Sequence, residues 1–254
     1  MRLATWNVNS IRSRQTHVRS WLQRVAPDLL LLQEIKCEAA AFPDFSDVGY
    51  RAVVVGQKSY NGVAVLSRLP VETRLTALPG LADDDAQARY AEVALDGITV
   101  GNLYLPNGNS GGEAGYAYKL RWMECLAAHA GAMLAQDQPL VLAGDYNVCP
   151  EPDDLAPGVL PPGDALVRPE TRARFRALRW LGLADAVREL HPNGPIYTFW
   201  DYQAGCWPRD RGLRIDHALL SPTLAERLVA AVPDRQERAE DQPSDHVPVL
   251  VEIA

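Results

Sequence analysis

Residues 140–147 read Leu-Val-Leu-Ala-Gly-Asp-Tyr-Asn, an apolar run that ends abruptly in a carboxylate and an amide. A short run rich in Val and Leu that stops at glycine and polar residues is typical of a buried strand. Asp145 and Asn147 are two residues apart, so their side chains share one side if the chain stays extended. The same layout recurs, with the order varied, in Leu3–Asn7, Leu29–Glu34, Val100–Tyr104, Leu213–Asp216 and Asp245–Ile253. Sheets present chemistry at strand ends, so this pattern predicts a polar site there.

Helical periodicity occurs between several of these strands. Ser10–Val25 and Glu113–Gln136 carry apolar residues at helical spacing, and Glu170–Leu181 is a third predicted helix. Two hairpins are also predicted, formed by Tyr50–Gly56 with Gly62–Ser67 and by Tyr90–Leu95 with Ile98–Tyr104. Cys149–Pro169 is rich in Pro and Gly and predicts a long surface loop.

The length and composition are those of a globular protein. With 254 residues and 47% hydrophobic content, we expect a large core and one domain over residues 1–254. The apolar runs, such as Leu29–Leu32 and Val247–Val251, are much shorter than the ~20 residues that span a bilayer. No charged-then-apolar signal segment opens the sequence, so we expect a soluble, cytoplasmic protein without a membrane partner. Four scattered cysteines without a CxxC pair favour free thiols in a reducing compartment.

The net charge of −7 argues weakly against a nucleic-acid binder, because phosphate contacts usually come from a basic surface. Arginines nevertheless cluster in three segments, and these are Arg12, Arg14 and Arg19; Arg172, Arg174, Arg176 and Arg179; and Arg209, Arg211 and Arg214. Such clusters form either basic patches on an acidic molecule or ordinary solvated faces, and both readings stay open.

The polar side chains at the strand ends are of the types that phosphodiester hydrolysis requires: ligands for a hard cation, a group that activates water, and donors for the phosphate oxygens. Glu34 and Asn7 offer oxygen ligands of the kind that Mg²⁺ or Mn²⁺ accepts. Asp145 is suited to accept a proton from water while Asn147 holds the water or phosphate. His246, hydrogen-bonded to a carboxylate such as Asp216, would keep its proton near neutral pH.

Each of these signals has an ordinary structural explanation when taken alone. Asp-x-Asn is often a turn, Ser-Asp-His can cap a strand, and a lone Tyr after an apolar run is more often core than catalyst. The Gly-rich run 107–112 lacks the GxxxxGK[ST] pattern of a phosphate cradle, so we interpret it as a flexible loop. His217 follows Asp216 directly and should face the other side of a strand, where a structural role is expected.

The joint order of the motifs is more specific than any one of them. The segments are Trp6–Asn9, Leu32–Cys37, Tyr60–Ser67, Tyr104–Gly108, Gly144–Asn147, Tyr197–Tyr202, Arg211–Asp216 and Ser244–Pro248. In this order, over nearly the whole chain, they resemble the exonuclease III family of apurinic/apyrimidinic endonucleases, within the endonuclease/exonuclease/phosphatase superfamily.

The resemblance implies a role for each polar residue. It implies catalytic roles for Tyr104, Asp145, Asn147, Asp216, Asp245 and His246. It implies a metal site for Mg²⁺, or alternatively Mn²⁺, drawn from Asn7, Glu34, Asp145, Asn147, Asp245 and His246. Whether Asp145 or a metal-bound hydroxide acts as the base stays open.

The resemblance also implies contacts with DNA. The residues concerned are Asn9, Lys36, Tyr60, Asn61, Asn107, Phe199, Trp200, Leu213 and Ile215. Phe199, Trp200, Leu213 and Ile215 occupy the stretches that form the family's apolar lesion pocket, although ordinary strand core explains Phe199 and Trp200 equally well on spacing alone. A flipped-out deoxyribose without a base leaves little stacking to break, which makes its extrusion cheaper.

The fold implied by the resemblance is an α/β four-layer sandwich, in which two packed, mixed, mainly antiparallel sheets are flanked by helices. The implied function is hydrolysis of double-stranded DNA 5′ to abasic sites, together with 3′-to-5′ exonuclease activity and removal of blocked 3′ ends, by a monomer. The rivals are a lipid or inositol phosphate phosphatase, a secreted nonspecific nuclease, and a noncatalytic DNA-binding protein. The absent signal segment and the Tyr197–Ile215 stretch disfavour the first two, and the intact set of polar residues disfavours the third.

Overall fold

Two six-stranded sheets form the body of the protein in the computed structural model, which describes residues 1–82 and 85–254. The first sheet contains β1 (Arg2–Asn7), β2 (Leu29–Gln33), β3 (Arg51–Val55), β4 (Val63–Ser67), β11 (Leu228–Pro233) and β12 (Val249–Ile253). The second contains β5 (Glu72–Leu75), β6 (Tyr90–Leu95), β7 (Ile98–Tyr104), β8 (Leu140–Asp145), β9 (Ala184–Asp185) and β10 (Asp216–Leu220). The strand orders are β11-β12-β1-β2-β4-β3 and β5-β6-β7-β8-β10-β9.

The three longest helices cover the outer faces of the two sheets, whereas residues of the two short helices pack into the core between the sheets. The helices are α1 (Ile11–Val25), α2 (Gly112–Leu134), α3 (Pro169–Trp180), α4 (Ala186–Leu190) and α5 (Pro222–Ala225). Residues of α1 pack on the first sheet, and residues of α2 and α3 pack on the second. A third apolar cluster lies between the two sheets. The order helix, sheet, sheet, helix is the expected four-layer α/β sandwich.

The unbroken apolar runs are explained by burial on both faces of a strand. In β2, Leu29 and Leu31 belong to the core between the sheets, whereas Leu30 and Leu32 face α1. In β8, Val141 lies between the sheets and Leu142 packs against the α2 layer. Because side chains alternate along a strand, a strand covered on both sides has no polar position to interrupt it.

Each sheet contains one parallel pair of strands. β1 and β2 are parallel and joined by α1, and β7 and β8 are parallel and joined by α2. Asn7 ends β1, while Tyr104 and Asp145 end β7 and β8 side by side. β10 runs antiparallel to β8 and begins at Asp216, which pairs with Asp145. β12 runs antiparallel to β1, so His246, just before it, reaches the same edge. The topology thus brings these strand ends together.

The predicted helices, both hairpins, which are the antiparallel pairs β3–β4 and β6–β7, and most predicted strands agree with the structure to within two residues. The strand pattern at Leu213–Asp216 does not, because Leu213 forms only isolated bridges and β10 begins at Asp216 instead of ending there. The expectation that Cys149–Pro169 is a surface loop is wrong in part. Cys149 and Leu166 are buried with Leu213 and Ile215, and Leu155 forms a bridge with Leu213. Proline and glycine content reports backbone irregularity, which does not exclude apolar side chains that pack inward.

All four cysteines are free thiols, as expected. Within residues 1–82 and 85–254, no helix is both long and apolar enough to cross a bilayer.

Candidate active site

Asn7 joins the edges of the two sheets. Its Nδ2 donates to Glu34 Oε1 and to Asp145 Oδ2, at 2.9 Å in each case. Asn7 ends β1 and Glu34 follows β2, both in the first sheet, whereas Asp145 ends β8 in the second. One amide therefore connects two carboxylates from different sheets, and the site depends on both of them.

Asp216 and His246 form a buried pair. His246 Nδ1 lies 2.9 Å from Asp216 Oδ2 and 3.1 Å from Oδ1. Thr198 Oγ1 donates to Asp216 Oδ2 at 2.6 Å and so fixes the carboxylate from its other side. Burial would lower the pKa of His246, but the Asp216 carboxylate outweighs it and raises that pKa to about 10. The imidazole is consequently positively charged at neutral pH.

Asp145 stands beside this pair and is itself buried. Its Oδ2 lies 3.9 Å from His246 Nε2. Burial raises the pKa of the Asp145 carboxyl well above its usual range, His246 opposes that rise, and the negative charge of Asp216 adds to it. A carboxyl with a raised pKa is suited to accept a proton near neutral pH.

Asn147 is held with its side chain beside Asp145. Its backbone N–H donates to Asp145 Oδ1 at 2.9 Å, and its Nδ2 donates to the Leu105 carbonyl at 3.0 Å. Asn107 Nδ2 donates to Asn147 Oδ1 at 2.9 Å. These contacts bring Asn107, Asn147 and Asp145 together, as the motif order predicts.

Glu34 has a second set of partners. Lys36 Nζ lies 2.9 Å from Glu34 Oε2 and donates to Asn9 Oδ1. Asn9 Nδ2 in turn donates to Asp245 Oδ1 at 3.1 Å. Burial would raise the pKa of Glu34, but the Lys36 ammonium, the hydrogen bond from Asn7 and the charge of His246 together outweigh it and keep that pKa below the ordinary value. Asp245 therefore joins the site through Asn9, on the Glu34 side rather than beside Asp216.

Tyr104 is partly exposed at the rim. The guanidinium of Arg89 lies 4.7 Å from the centre of its ring. Burial, reinforced by the negative charges of Glu34 and Asp145, raises the pKa of the Tyr104 phenol well above its ordinary value. Tyr104 is thus a neutral hydroxyl that can donate a hydrogen bond.

The backbone of the site is unusual at four residues that are not glycine. Asn9, Glu34, Lys36 and Asn147 have φ values of 44°, 51°, 53° and 49°. Left-handed conformations are uncommon for such residues and are concentrated at functional sites, where the surroundings hold them in place.

The donor set suits a hard divalent cation. Among the described residues, Asp145, Asp216 and His246 offer ligand atoms within 4.8 Å of one another, and Glu34 lies one Asn7 side chain away from Asp145. Carboxylate oxygens are the ligands that Mg²⁺ and Mn²⁺ accept. A cation nearby would also oppose the rise in pKa that burial imposes on Asp145.

Phe199 packs against His246 at the site. Its ring is tilted at 66° to that of His246, with the ring centres 4.9 Å apart. Leu213 and Ile215 are buried in the cluster behind it. Of these three predicted contact residues, Phe199 alone has a partly exposed side chain.

Trp200 does not fulfil the expectation of a DNA contact. Its side chain is 0% exposed, it packs with Tyr197 and Val247, and its Nε1 donates to Asp210 Oδ1 at 3.0 Å. Phe199 and Trp200 are neighbours on an extended segment, so they point to opposite sides. Trp200 is a core residue, in agreement with the alternative that spacing alone left open.

Tyr60 and Asn61, like Phe199 and Trp200, are neighbours that differ in exposure. Tyr60 is 64% exposed, so its ring is available for a contact. Asn61 is largely buried, and its Nδ2 donates to Gln57 Oε1 at 3.0 Å. The backbone carbonyl of Asn61 accepts a hydrogen bond from the backbone N–H of Lys36 at 3.0 Å. Asn61 therefore supports the loop that carries Lys36.

Arg214 does not contribute to a basic patch, contrary to one interpretation of the arginine clusters. It is 1% exposed, and its guanidinium donates to Asp154 and Asp185 at 2.7 and 2.8 Å. His217 lies beside it with Nδ1 3.0 Å from Arg214 Nη1 and Nε2 2.9 Å from the Val148 carbonyl. The structural role expected for His217 is confirmed.

Two residues of the site region were missed in the sequence. Thr198 supports Asp216, and it lies inside a segment that drew attention only for its aromatic residues. Lys119 on α2 donates to three backbone carbonyls beneath the site. A single lysine within a helical pattern looks like part of a solvated face, so the sequence offered no signal for it.

Comparisons with known proteins agree with this geometry. A model of the Endonuclease/Exonuclease/phosphatase family matches residues 4–246. Exodeoxyribonuclease III of Haemophilus influenzae is 32% identical over 267 aligned positions, with 100% of both chains covered. An AP endonuclease from Archaeoglobus fulgidus has 36% identity and a TM-score of 0.93, over 100% of this chain and 99% of that one.

A second solved structure, the 3′ phosphatase NExo from Neisseria bound to a product DNA hairpin, has 36% identity and a TM-score of 0.91, with the same coverage. The chain belongs to the endonuclease/exonuclease/phosphatase family and, within it, to the exonuclease III family that its motifs resemble.

Proposed function

We propose that this protein is a DNA repair nuclease that hydrolyses the phosphodiester 5′ to an abasic site and leaves a 3′-hydroxyl. The observation that carries the proposal is the convergence of Asp145, Asn147 and the Asp216–His246 pair at one edge of the sandwich. Relatives named exodeoxyribonuclease III and AP endonuclease support the choice of DNA as substrate.

In the proposed reaction Asp145 accepts a proton from the attacking water. Its Oδ1 accepts the backbone N–H of Asn147, which places the carboxylate beside the amide that orients the water. The amides of Asn147 and Asn107, which are hydrogen-bonded to each other, orient the water and the phosphate. Attack then proceeds in line with the departing 3′-oxygen of the preceding nucleotide, which takes a proton from solvent to become the 3′-hydroxyl.

Negative charge on the phosphate is stabilised by one charged and one neutral hydrogen-bond donor. The His246 imidazolium, kept charged by Asp216, donates to a non-bridging oxygen, and the neutral Tyr104 hydroxyl donates to another. Donors that are already oriented towards developing charge are worth more in a buried site than in water.

We propose Mg²⁺, with Mn²⁺ as an alternative, as the cofactor. Glu34 and Asp145 are the main residues that would hold it, and Asn7, Asn147 and Asp245 are further members of the predicted set. His246, the remaining member, is protonated beside Asp216 and would act as a hydrogen-bond donor rather than as a ligand. When bound, the cation supplies positive charge that polarises the phosphate and lowers the pKa of water.

The substrate surface combines polar and apolar contacts. Asn9, Lys36, Tyr60 and Asn107 are the proposed polar and aromatic contacts, and Phe199 is the proposed apolar contact of an extruded abasic sugar. Asn61, Leu213 and Ile215 support those side chains from beneath. A missing base leaves little stacking to break, so the sugar is extruded at low cost and its C–H groups can pack on the Phe199 ring.

We also propose that residues 1–254 act as one catalytic domain, that the protein works as a monomer, and that it acts in the cytoplasm. Asn7, Glu34 and Asp145 support the first point, since a single chain supplies the site from both sheets.

A second activity of the same site is favoured by the similarity to NExo, which is named a 3′ phosphatase and whose TM-score of 0.91 is close to the 0.93 of the AP endonuclease. We propose that the protein also removes phosphate and nucleotides from 3′ ends, because each reaction places a phosphate beside the same residues.

The test is a cleavage panel. A duplex with one abasic analogue, an undamaged duplex with a recessed 3′ end and a duplex with a 3′-phosphate are each incubated with Mg²⁺ or with a chelator. We expect incision of the abasic duplex with Mg²⁺ and none with the chelator. Failure to process any of the three with Mg²⁺ would overturn the DNA repair function. Processing of 3′ ends alone would overturn the abasic-site assignment.

A further inference from the structure

Lys119 is a buried lysine in the middle of α2. Its side chain is 0% exposed. Its Nζ donates to the carbonyls of Pro106 and Asn107 at 3.1 Å each and to that of Asn147 at 2.7 Å. An ammonium has three N–H groups, so every one of them has a backbone acceptor.

The three carbonyls come from two different loops. Pro106 and Asn107 follow β7, the strand that ends at Tyr104, and Asn147 follows β8, the strand that ends at Asp145. Lys119 approaches from α2, the helix that connects those two strands. It therefore fastens the segments after both parallel strands to the helix between them.

The same two loops carry the paired amides of the site. Asn107 Nδ2 donates to Asn147 Oδ1, and Asn147 Nδ2 donates to the Leu105 carbonyl. Asn147 has a φ of 49°, a conformation that an asparagine adopts at some cost unless its surroundings hold it. The contact of Lys119 with the Asn147 carbonyl acts directly on that peptide.

The loop after β7 packs closely against the aliphatic part of the Lys119 side chain. A Cβ atom on Gly108 would lie 2.6 Å from Lys119 Cδ and 3.1 Å from Ala165 Cβ, and the φ of Gly108 is +88°. Only glycine allows the loop to pass this close over the lysine. The loop after β7 thus wraps around the stem while its carbonyls turn towards the ammonium.

A buried ammonium is costly, and here the described residues offer it no carboxylate within hydrogen-bond distance. An apolar side chain would avoid that cost, but it would leave three converging carbonyls without a donor. The buried ammonium therefore fixes the orientation of these loops at a cost to the stability of the helix packing.

We propose that Lys119 is a positioning residue of the nuclease reaction, acting through Asn147 and Asn107. It does not touch the substrate. By holding the two loops it sets the angle at which the two amides meet the water and the phosphate. This role rests on the proposed function, since it assumes that those amides serve phosphodiester hydrolysis.

The test compares Lys119→Met, which keeps length and removes the donors, with Met123→Ala. Met123 lies on the same helix, one turn further, and is buried against the second sheet. Both variants should lose thermal stability. For Lys119→Met we expect kcat on abasic duplex to fall on the order of 10²-fold with KM nearly unchanged, as small misplacements in a site produce. For Met123→Ala we expect wild-type kcat.

A double-mutant comparison separates positioning from general destabilisation. In an Asn147→Ala background, Lys119→Met should lower kcat much less than it does in the wild type, because the residue through which it acts is gone. An equally large loss in both backgrounds would overturn the proposal. Lys119→Gln, which keeps an N–H donor, takes the place of Lys119→Met if the latter does not fold.

A measurement without turnover keeps the two proposals distinguishable. In ¹⁵N–¹H spectra the side-chain amide signals of Asn107 and Asn147 should shift in Lys119→Met and stay in place in Met123→Ala. Unshifted amides in Lys119→Met would overturn the positioning role even if the wild type cleaves DNA. Wild-type enzyme without activity on any substrate would instead overturn the proposed function.

Discussion

The Asp216 carboxylate determines the charge of His246. It accepts hydrogen bonds from His246 and Thr198, and it outweighs burial in raising the His246 pKa to about 10. A histidine buried without that partner would be neutral and free to rotate. One carboxylate thus supplies both the charge and the orientation of the imidazole that is proposed to donate to the phosphate.

Replacing Asp216 with Asn should therefore impair turnover more than binding. We expect Asp216→Asn to lower kcat on abasic duplex by roughly 10²- to 10⁴-fold, the range seen when a histidine loses its orienting carboxylate. Single-turnover rates and DNA affinity should be measured in parallel. Asp241→Asn, the same change at an exposed position, is the control and should behave like the wild type. A loss in affinity that accounts for the whole loss in rate would argue against this role.

A sequence pattern shows which residues adjoin an apolar run, but it does not show which charged or aromatic side chains are buried. Asp145 and Asp216 stood out because each adjoins an apolar run. Trp200 was misjudged because a motif does not say which side of a segment faces the core. Arg214 and Lys119 were misjudged or missed because burial of a charged residue depends on partners far away in sequence, such as Asp154 and Asn147.

At the level of elements, a buried ion network fastens the loop before α3 to β10. Arg214, just before β10, donates to Asp154 of the loop and to Asp185 of β9. Arg188 of α4 also contacts Asp154, at 2.5 Å. The loop carries Leu155 and Leu166, which pack behind Phe199. The network therefore supports the apolar packing behind Phe199.

The network makes the stability of the protein depend on pH. Burial would raise the pKa of Asp185, but Arg214 and His217 outweigh it and hold that pKa well below its usual range. A carboxyl with a lowered folded-state pKa contributes stability above its unfolded pKa of about 3.9, and that contribution is lost as the pH falls through the folded-state pKa. In Arg214→Met, burial is no longer opposed by the guanidinium, so the Asp185 pKa rises.

We expect Arg214→Met to cost roughly 3–5 kcal/mol of unfolding free energy near neutral pH, because it leaves buried carboxylates without their partner. The difference from wild type should shrink as the pH is lowered towards about 4, since protonation then relieves Asp185. Urea denaturation over this range measures it. Arg174→Met, which removes a half-exposed pair with Glu124, should have a small effect that hardly varies with pH. A constant deficit for Arg214→Met would contradict the assignment.

Strands, hairpins and helices were predictable because their periodicity is local. The burial of the loop Cys149–Pro169 was not predictable, because its buried side chains pack against Leu213, Ile215 and Phe199, which are distant in sequence. Periodicity likewise does not predict how the two sheets pack on each other, and that prediction came from the family resemblance.

For the whole molecule, the essential feature is that the site spans two sheets. Beneath Asn7, a buried network connects them: Gln33 Nε2 donates to Thr5 Oγ1 at 2.9 Å and to Asn102 Oδ1 at 2.8 Å. Asn102 Nδ2 donates to the carbonyls of Leu32 and Ala64 of the first sheet. Polar groups buried in this way fix one relative position of the sheets, since any slip would leave them unpaired.

The acidic net charge is compatible with this arrangement. Many arginines are paired within the protein, among them Arg24 with Asp234, Arg174 with Glu124 and Arg235 with Asp210. They are therefore not a free basic surface. The proposed contacts with DNA are local donors at the site, namely the His246 imidazolium, the neutral amides and Lys36, which is itself paired with Glu34. A bound cation would add positive charge.

Asp145, held from both sheets, is the residue proposed to activate the water that cleaves DNA. The direct test of this role is the single-turnover rate of Asp145→Asn on a duplex with one abasic analogue in Mg²⁺, with affinity for the same duplex measured in a chelator. We predict a rate lower by roughly 10³-fold or more and an affinity close to that of the wild type. A turnover rate near that of the wild type would rule out this role of Asp145.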